Sequence, residues 1–473
     1  MPTRPYLFHA LTNSLCAHCY GKVEAKIVFR GEEVLLLKHC PEHGHQEVRI
    51  ADDIPYYRSI QDHLKPGDMP LRFQTPIRHG CPFDCGLCPD HEQHACVTVL
   101  EISDACNLDC PICYADSGTA PADGAGRPRR HRDLATIERM LDAIVASEGE
   151  PQVVQISGGE PTLHPEFFAV MDLARSRPIR HLMVNTNGLR LAQEPAFAER
   201  LADYGPGLEI YLQFDSLQAG PLQRLRGADL RGVRQRALER LNALNLSPTL
   251  VVTLAKGVND HEIGAILAFA LEQPCVRGVT FQPIQATGRL DGYDDARERY
   301  TLTEVRRAIL KQSDLFRPED ILPVPCHPDA LAMAYALKLE GRVIPLTGLL
   351  GREELVAALP NAITFEQDPA LRRRLLDLFS TGHSPASAAG ALGQLLCCLP
   401  KLPVPAGLDY RNVFRVLIVQ FMDAHNFDVR SVKRSCIHIA HPDGRLIPFE
   451  AYNLFYRPGA PGAEALARVR GAA

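Results

Sequence analysis

Three cysteines, Cys106, Cys110 and Cys113, stand at C-x₃-C-x₂-C spacing in the stretch Ser103–Tyr114, SDACNLDCPICY. Three thiolates on one tight loop can face a single point and serve three corners of an iron–sulfur cube. A cube has four irons, so such a loop leaves one iron free to bind a small molecule. A structural zinc loop or free thiols would use the same residues. The next signal, QISGGEPTLHPE at Gln155–Glu166, separates the two readings. An apolar strand, Val153–Ser157, is broken by Gly158-Gly159-Glu160-Pro161. Two glycines let the backbone approach a ligand closely. Glu160 offers an acceptor for an ammonium group. A cysteine loop after one strand and a GGE turn after the next form a far more specific pattern than either alone.

Other cysteines cluster as well. Cys81, Cys85, Cys88 and Cys96 repeat the spacing and add a fourth thiol in HGCPFDCGLCPDHEQHAC. Four ligands close a cube, which predicts an auxiliary [4Fe–4S] cluster. The alternative, that this loop is the open site, is opposed by its fourth cysteine and by the lack of a GGE strand directly after it. Near the amino terminus, Cys16, Cys19 and Cys40 flank a predicted hairpin around Arg30-Gly31. His43 is the best fourth ligand, with His39 and His45 as competitors. Such a module is a zinc ribbon or rubredoxin-like site for zinc or mononuclear iron. Cys326, Cys397, Cys398 and Cys436 are scattered; they form a third cluster only if the fold gathers them, and Cys326 and Cys436 are its candidate ligands.

The chain has 473 residues, 46% hydrophobic and 23% charged, a composition ordinary for globular domains. A net charge of −5 gives no basic field for nucleic acid. No apolar run reaches the roughly 18–20 residues of a membrane helix. The amino terminus lacks an apolar signal core, so a cytoplasmic location is expected. In that setting fifteen cysteines at metal-ligand spacings favour metal over disulfides.

The elements that must position these residues are βα units. Val97–Ile102 leads into the cysteine loop. Strands are then predicted at Val153–Ser157, His181–Asn185, Leu208–Phe214, Thr249–Leu254 and Val279–Pro283, with helices between them. Apolar strands alternating with helices imply a parallel sheet in an α/β fold. Active sites of parallel barrels gather at the carboxyl ends of the strands. The polar residues there include Asn185, Asn187, Gln213, Asp215, Ser216, Lys256, Asn259 and Gln282, of which Asn187, Gln213 and Asp215 are the favoured cofactor contacts. Gln285–Arg289 is a weaker glycine-containing exit, and 116–133 is a candidate lid. Beyond residue 300 the chain reads as mainly helical, with helices at Thr301–Lys311, Pro369–Phe379 and Val413–Ala424. Val343–Leu359 and Ala386–Leu399 read as apolar blocks that pack under the barrel or line an apolar cavity.

The cysteine loop with its GGE strand resembles the radical S-adenosylmethionine (radical SAM) enzymes. That resemblance implies a partial (βα)₆ TIM-type barrel. It implies a catalytic [4Fe–4S] cluster on Cys106, Cys110 and Cys113, with Gly158, Gly159 and Glu160 against the methionine end of SAM. It also implies cleavage of SAM to a 5′-deoxyadenosyl radical that removes a hydrogen atom. The N-terminal knuckles, the HGCPFDCGLCPDHEQHAC segment and a C-terminal FMDAHNFD…HPDGRLIPFEAYNLFYR narrow the likeness to the class D radical SAM group. Its members include an archaeal tetraether lipid synthase and dihydropterin methylases. The expected organisation is then a metal-knuckle module and linker (1–75), an auxiliary cluster loop (76–96), the core barrel (97–300) and a C-terminal domain (301–473). The expected activity is C–C bond formation at an unactivated C–H position, as methyl transfer to a pterin-like substrate or coupling of lipid chains. A small-molecule or lipid substrate and a reductant such as flavodoxin or ferredoxin are the implied partners, with membrane-peripheral placement if the substrate is lipid. A peptide-modifying radical SAM enzyme and a non-catalytic iron–sulfur electron carrier are the competing readings.

Overall fold

The computed structural model describes residues 4–118, 130–290, 292–339, 342–348 and 412–471. Cys397, Cys398, the predicted helix Pro369–Phe379, the apolar block Ala386–Leu399 and most of the candidate lid lie outside the described residues.

The amino-terminal module is an antiparallel meander of β1 (Leu7–Leu15), β2 (Lys22–Arg30), β3 (Glu33–Cys40) and β4 (Gly44–Ala51). Alternation along KVEAKIVFR puts Val23, Ala25 and Ile27 on the buried face, where Ala25 and Ile27 pack on Val34, Leu36 and Val48. Because β1 and β3 both run antiparallel to β2, their ends lie side by side. That brings the Cys16–Cys19 turn next to the turn after Cys40.

The barrel begins at β5 (Val97–Ser103), followed by the two-residue β6 (Ile112–Cys113), then β7 (Val153–Gly158), β8 (His181–Thr186), β9 (Leu208–Gln213), β10 (Pro248–Leu254) and β11 (Gly278–Pro283). Apart from β6 these are the six expected strands, all parallel, in the order β11-β10-β9-β8-β7-β5. Each is buried on both faces. Leu100, Val154, Leu182, Ile210, Leu250 and Val279 meet the surrounding helices. The alternate residues, such as Val97, Val153, Met183, Tyr211 and Val251, turn inward. Inward polar residues near the carboxyl ends are thereby set around one lumen.

After a short β12 (Arg289–Leu290), the carboxyl-terminal third adds β13 (Leu322–Pro323), β14 (Leu331–Leu339), β15 (Arg342–Pro345), β16 (Val413–Val419), β17 (Ile437–Ala440) and β18 (Leu446–Pro448). It extends the barrel sheet at both edges: β16 runs parallel to β11, and β17 runs parallel to β5. The helix expected over Val413–Ala424 is instead a strand over Val413–Val419. VFRVLIV is rich in β-branched residues and buried along nearly its whole length, so it carries no two-residue alternation to read. The C-terminal extension therefore supplies strands as well as helices.

Candidate active site and metal centres

The catalytic-type loop leaves the carboxyl end of β5 and is held by the chain's own backbone. Gly159 N donates to Ser103 O at 2.7 Å and Glu160 N to Ala105 O at 2.8 Å. A Cβ on Gly158 would lie 2.2 Å from Ser103 O, and one on Gly159 would lie 2.3 Å from Ala105 O. The close approach expected of these glycines is thus to the cysteine loop itself. From the far side, Arg289 Nε donates to Cys110 O at 2.7 Å and its Nη2 to Ser117 O at 2.7 Å, while β12 pairs with β6. A Cβ on Gly288, at φ +67°, would lie 2.4 Å from both Cys113 O and Tyr114 O. The weak sequence signal Gln285–Arg289 is therefore a clamp on the loop.

Cys106, Cys110 and Cys113 share the wall of a cavity of about 1720 Å³, measured to its open mouth, which runs down the barrel lumen. Burial pushes the Cys106 thiol up to about 12 and also raises Cys110. Three thiols facing one space, Cys110 buried and Cys106 and Cys113 half-buried, need more counter-charge as thiolates than the Arg226 guanidinium beside Cys110 supplies. An iron–sulfur core would supply it, so the donor set fits the cluster.

Glu160, 1% exposed, borders the same cavity. Its Oε1 accepts from Thr162 Oγ1 at 2.6 Å and Thr186 Oγ1 at 2.8 Å, and its Oε2 from Asn187 N at 2.7 Å. Oε2 keeps acceptor capacity toward the cavity. Asn187 lines the cavity and donates to Asn107 Oδ1 at 2.7 Å. Gln213 lines it as well and donates to Asn185 Oδ1 at 2.8 Å. Asp215 is placed differently. It is fully buried at φ +67°, set behind Arg226, and is not among the residues lining the cavity. Lys256 pairs with Glu304, and Asn259 braces the backbone of Asp215 and Thr253.

Sequence reading missed Arg226. Its Nε donates to Asp215 Oδ2 at 2.7 Å and its Nη2 to Gln213 Oε1 at 3.0 Å and Thr253 Oγ1 at 2.8 Å. It also hydrogen-bonds the Cys110 thiol. Burial pushes the Asp215 carboxyl up, but Arg226 and Arg234 outweigh it and hold it below its usual range. The signal available was an arginine at the carboxyl end of the helix Ala219–Arg226, too common a position to single out.

Among the described residues, two sets place all their ligand atoms within 4.8 Å of one another. The first is Cys16, Cys19, Cys40 and His43; His39 and His45 instead face each other, tilted by 49° with ring centroids 4.5 Å apart. Burial raises the Cys16 thiol, but hydrogen bonds from Cys19 and His18 N–H and the Gln46 amide outweigh it and bring it down to about 6. A thiolate at neutral pH beside an imidazole suits a single metal ion. The second set is Cys96, Cys326 and Cys436, all buried. This corrects the expected grouping: Cys96 does not close the Cys81/Cys85/Cys88 loop. It precedes β5 as Cys436 precedes β17, and the pairing Val97↔Ile437 of those parallel strands draws the two thiols together. Cys81, Cys85 and Cys88 line a separate pocket. Neither C-x₃-C-x₂-C loop packs its thiols as closely as the two compact sets. Ligands to separate corners of a cube must stand farther apart than ligands around one ion.

Residues 100–270 match the family model described as the radical SAM superfamily, and residues 8–52 match an HMPTM N-terminal zinc ribbon domain. The chain belongs to the radical SAM superfamily. As a radical SAM enzyme it works with a [4Fe–4S] cluster and SAM, with further metal sites on the zinc ribbon and the other cysteines. It is 28% identical to the 7,8-dihydro-6-hydroxymethylpterin dimethyltransferase of Methanocaldococcus jannaschii, over 94% of both chains. It is 30% identical to a GTP 3′,8-cyclase of Klebsiella pneumoniae, over 49% of this chain and 68% of that one. Among solved structures, it is similar to SuiB of Streptococcus suis bound to S-adenosylmethionine at a TM-score of 0.37 and 20% identity, covering 46% of this chain and 47% of that one. No helix among the described residues of this radical SAM enzyme is long and apolar enough to cross a membrane.

Proposed function

We propose that this radical SAM enzyme transfers methyl groups to a pterin-like small molecule by forming C–C bonds at unactivated C–H positions. The observation that carries this reading is the likeness to the pterin dimethyltransferase, which runs the length of both chains, ribbon and C-terminal extension included. The cavity supports it over lipid coupling. On one side Phe421 stacks on Phe449 at 3.8 Å, with Tyr114 at 5.2 Å from Phe449. Gln155, Tyr211 and Gln282 also line the lumen, with the Gln282 amide donating to the Tyr211 hydroxyl at 2.9 Å. Aromatic faces with an amide and phenol edge suit a planar hydrogen-bonding heterocycle better than an alkyl chain.

Cys106, Cys110 and Cys113 would hold the cluster, and Gly158, Gly159 and Glu160 with Asn187 and Gln213 would position SAM. When bound, these cofactors supply a 5′-deoxyadenosyl radical that removes a hydrogen atom. The chain's residues orient substrate and exclude water around that chemistry. Arg226 and Asp215 fix the floor under Cys110 and Gln213. The proposed setting is cytoplasmic, with a flavodoxin or ferredoxin as reductant.

The test is anaerobic reconstitution, dithionite reduction and assay of 5′-deoxyadenosine, with excess SAM, dihydropterin as substrate and a one-carbon donor supplied for the methyl group. Wild type is compared with Cys106/Cys110/Cys113→Ala. Expected are 5′-deoxyadenosine and a methylated pterin from wild type and neither from the variant. A fully clustered wild type that never cleaves SAM overturns the enzymatic reading; cleavage without pterin methylation overturns the substrate.

A further inference from the structure

The large apolar side chains that stand exposed among the described residues fall in two short stretches. Leu7, Phe8 and Leu11 lie on β1, at the edge of the ribbon sheet. Met69, Leu71, Phe73 and Ile77 lie on the segment that leads into the Cys81–Cys88 loop, with Leu71 75% and Ile77 49% exposed. Hydrogen bonds rather than packing hold this second stretch in place. Leu71 N donates to Ser147 O at 2.7 Å, Gln74 N to Leu87 O at 3.0 Å and Arg78 N to Asp84 Oδ2 at 2.7 Å. The Thr75 hydroxyl donates to Asp84 O at 2.8 Å. The segment is thus tied to the cysteine loop while Leu71, Phe73 and Ile77 are left to solvent. Ile77 also lines the pocket of Cys81, Cys85 and Cys88, so the apolar stretch borders that pocket's mouth.

On a chain of net charge −5, this stretch carries a surplus of cations. Arg72 and Arg78 are exposed, and the exposed Lys22 brings its Nζ to 3.7 Å from where a Cβ on Gly80 would lie. None of the three has an ion-pair partner among the described residues. Asp68 is the exposed acid of the segment, while the nearby Asp90 and Asp443 are paired with Lys433 and Arg445 at 2.8 Å each. An apolar centre rimmed by unpaired cations suits an acidic partner that is steered in by charge. Its small extent suits the brief encounters of electron transfer, which use the smallest interfaces.

We propose that Leu71, Phe73 and Ile77, rimmed by Lys22, Arg72 and Arg78, form the docking surface for the acidic one-electron carrier that reduces this enzyme. The inference rests on the reading that a flavodoxin or ferredoxin is the reductant. One electron passes from the carrier to the enzyme for each SAM cleaved to methionine and a 5′-deoxyadenosyl radical. Pro448 on the wall of the cysteine pocket and Phe449 on the wall of the barrel lumen are chain neighbours, so a carrier docked here stands close to the partition between the two spaces.

The experiment uses the reconstituted full chain, with reduced flavodoxin and a reduced [4Fe–4S] ferredoxin as probes. Arg72→Glu/Arg78→Glu and Phe73→Ser/Ile77→Ser are compared with wild type for carrier binding, by calorimetric titration, and for SAM cleavage at limiting carrier. Cleavage driven by dithionite, which needs no docking, is the control. Expected is a carrier-driven rate lower by roughly tenfold in the charge-reversal variant, with binding weakened in both variants. Salt should slow the wild type and leave the charge-reversal variant almost unchanged. Dithionite-driven rates should match wild type throughout. Equal binding and equal carrier-driven rates in all three proteins overturn the proposal, as does a wild type that neither carrier binds. Wild type that floats with vesicles of phosphatidylcholine and phosphatidylglycerol, through Arg72 and Arg78 and without any effect of these residues on carrier binding, overturns it in favour of a membrane surface. If wild type does not cleave SAM even with dithionite, the enzymatic reading falls, and the binding titration still decides the docking surface.

Discussion

The two C-x₃-C-x₂-C loops have the same spacing and different surroundings. The loop at Cys106 follows a strand and opens onto the carboxyl end of the barrel, where Glu160, Asn187 and Gln213 border a cavity of about 1720 Å³. The loop at Cys81 precedes the strand, is shaped by Asp84, and faces a pocket of about 370 Å³ flanked by Lys433. The wall between them is thin: Pro448 lines the smaller pocket, and its neighbour Phe449 lines the larger. Spacing makes thiols converge, whereas the adjoining strands decide what reaches the metal. Only the first loop has room and polar partners for a molecule the size of SAM.

The widest gap between the loops should appear in catalysis. Cys113→Ala is expected to reduce 5′-deoxyadenosine formation to the uncatalysed background. Cys88→Ala should still cleave SAM while losing substrate methylation. Chromatographic assay of both products checks this, and loss of SAM cleavage in both variants would erase the distinction. Next is Gly159→Ala. Its Cβ would sit 2.3 Å from Ala105 O, and backbone cannot yield as a side-chain tip can. A cost of at least about 1–3 kcal/mol is expected, with lower iron content and a lower unfolding midpoint.

Arg226→Ala tests the support under the first loop. It leaves the fully buried Asp215 with only Arg234 at 3.7 Å and the Thr253 N–H at 3.1 Å, so the cost should fall below the roughly 3–5 kcal/mol of a buried charge left wholly unpaired. Because Asp215 is held below its usual pKa, its contribution is present above the unfolded value and is lost as pH falls through the folded one. Without Arg226, loss on acidification should begin at higher pH. Denaturant midpoints from pH 3 to 8 measure this, and Arg226→Lys should recover part of the stability. A pH profile identical to wild type would show that Arg226 does not hold that charge.

Much of this arrangement was legible in the sequence. The six barrel strands read as short apolar runs because parallel strands are buried on both faces. The Cys16/Cys19/Cys40/His43 set was legible because hairpin geometry joins residues close in sequence. Partners brought together by sheet pairing were not. Cys96 meets Cys436 because β17 docks on β5, Cys326 joins them from the segment after β13, and nothing local to Cys96 announces either. Arg289 and Gly288 clamp the cysteine loop from beyond the last barrel strand, again through a pairing of distant segments. Gly158 and Gly159 did signal a close approach, but composition cannot tell a ligand from the chain's own carbonyls.

The partition between the two pockets offers a finer test through Glu450, which follows Phe449 and is buried with Ser435 Oγ donating to it at 3.0 Å. Burial raises its carboxyl to about 7. A carboxyl whose folded pKa lies above its unfolded one binds its proton more tightly in the folded state. Stability is therefore greatest below the unfolded value and declines as pH rises toward 7. Glu450→Gln keeps an acceptor for Ser435 and removes the charge. It should be neutral near pH 4 and stabilising at pH 8, by up to about 3 kcal/mol. Urea melts at the two pH values check this. A variant that gains equally at both would place the effect in packing and not in the Glu450 charge.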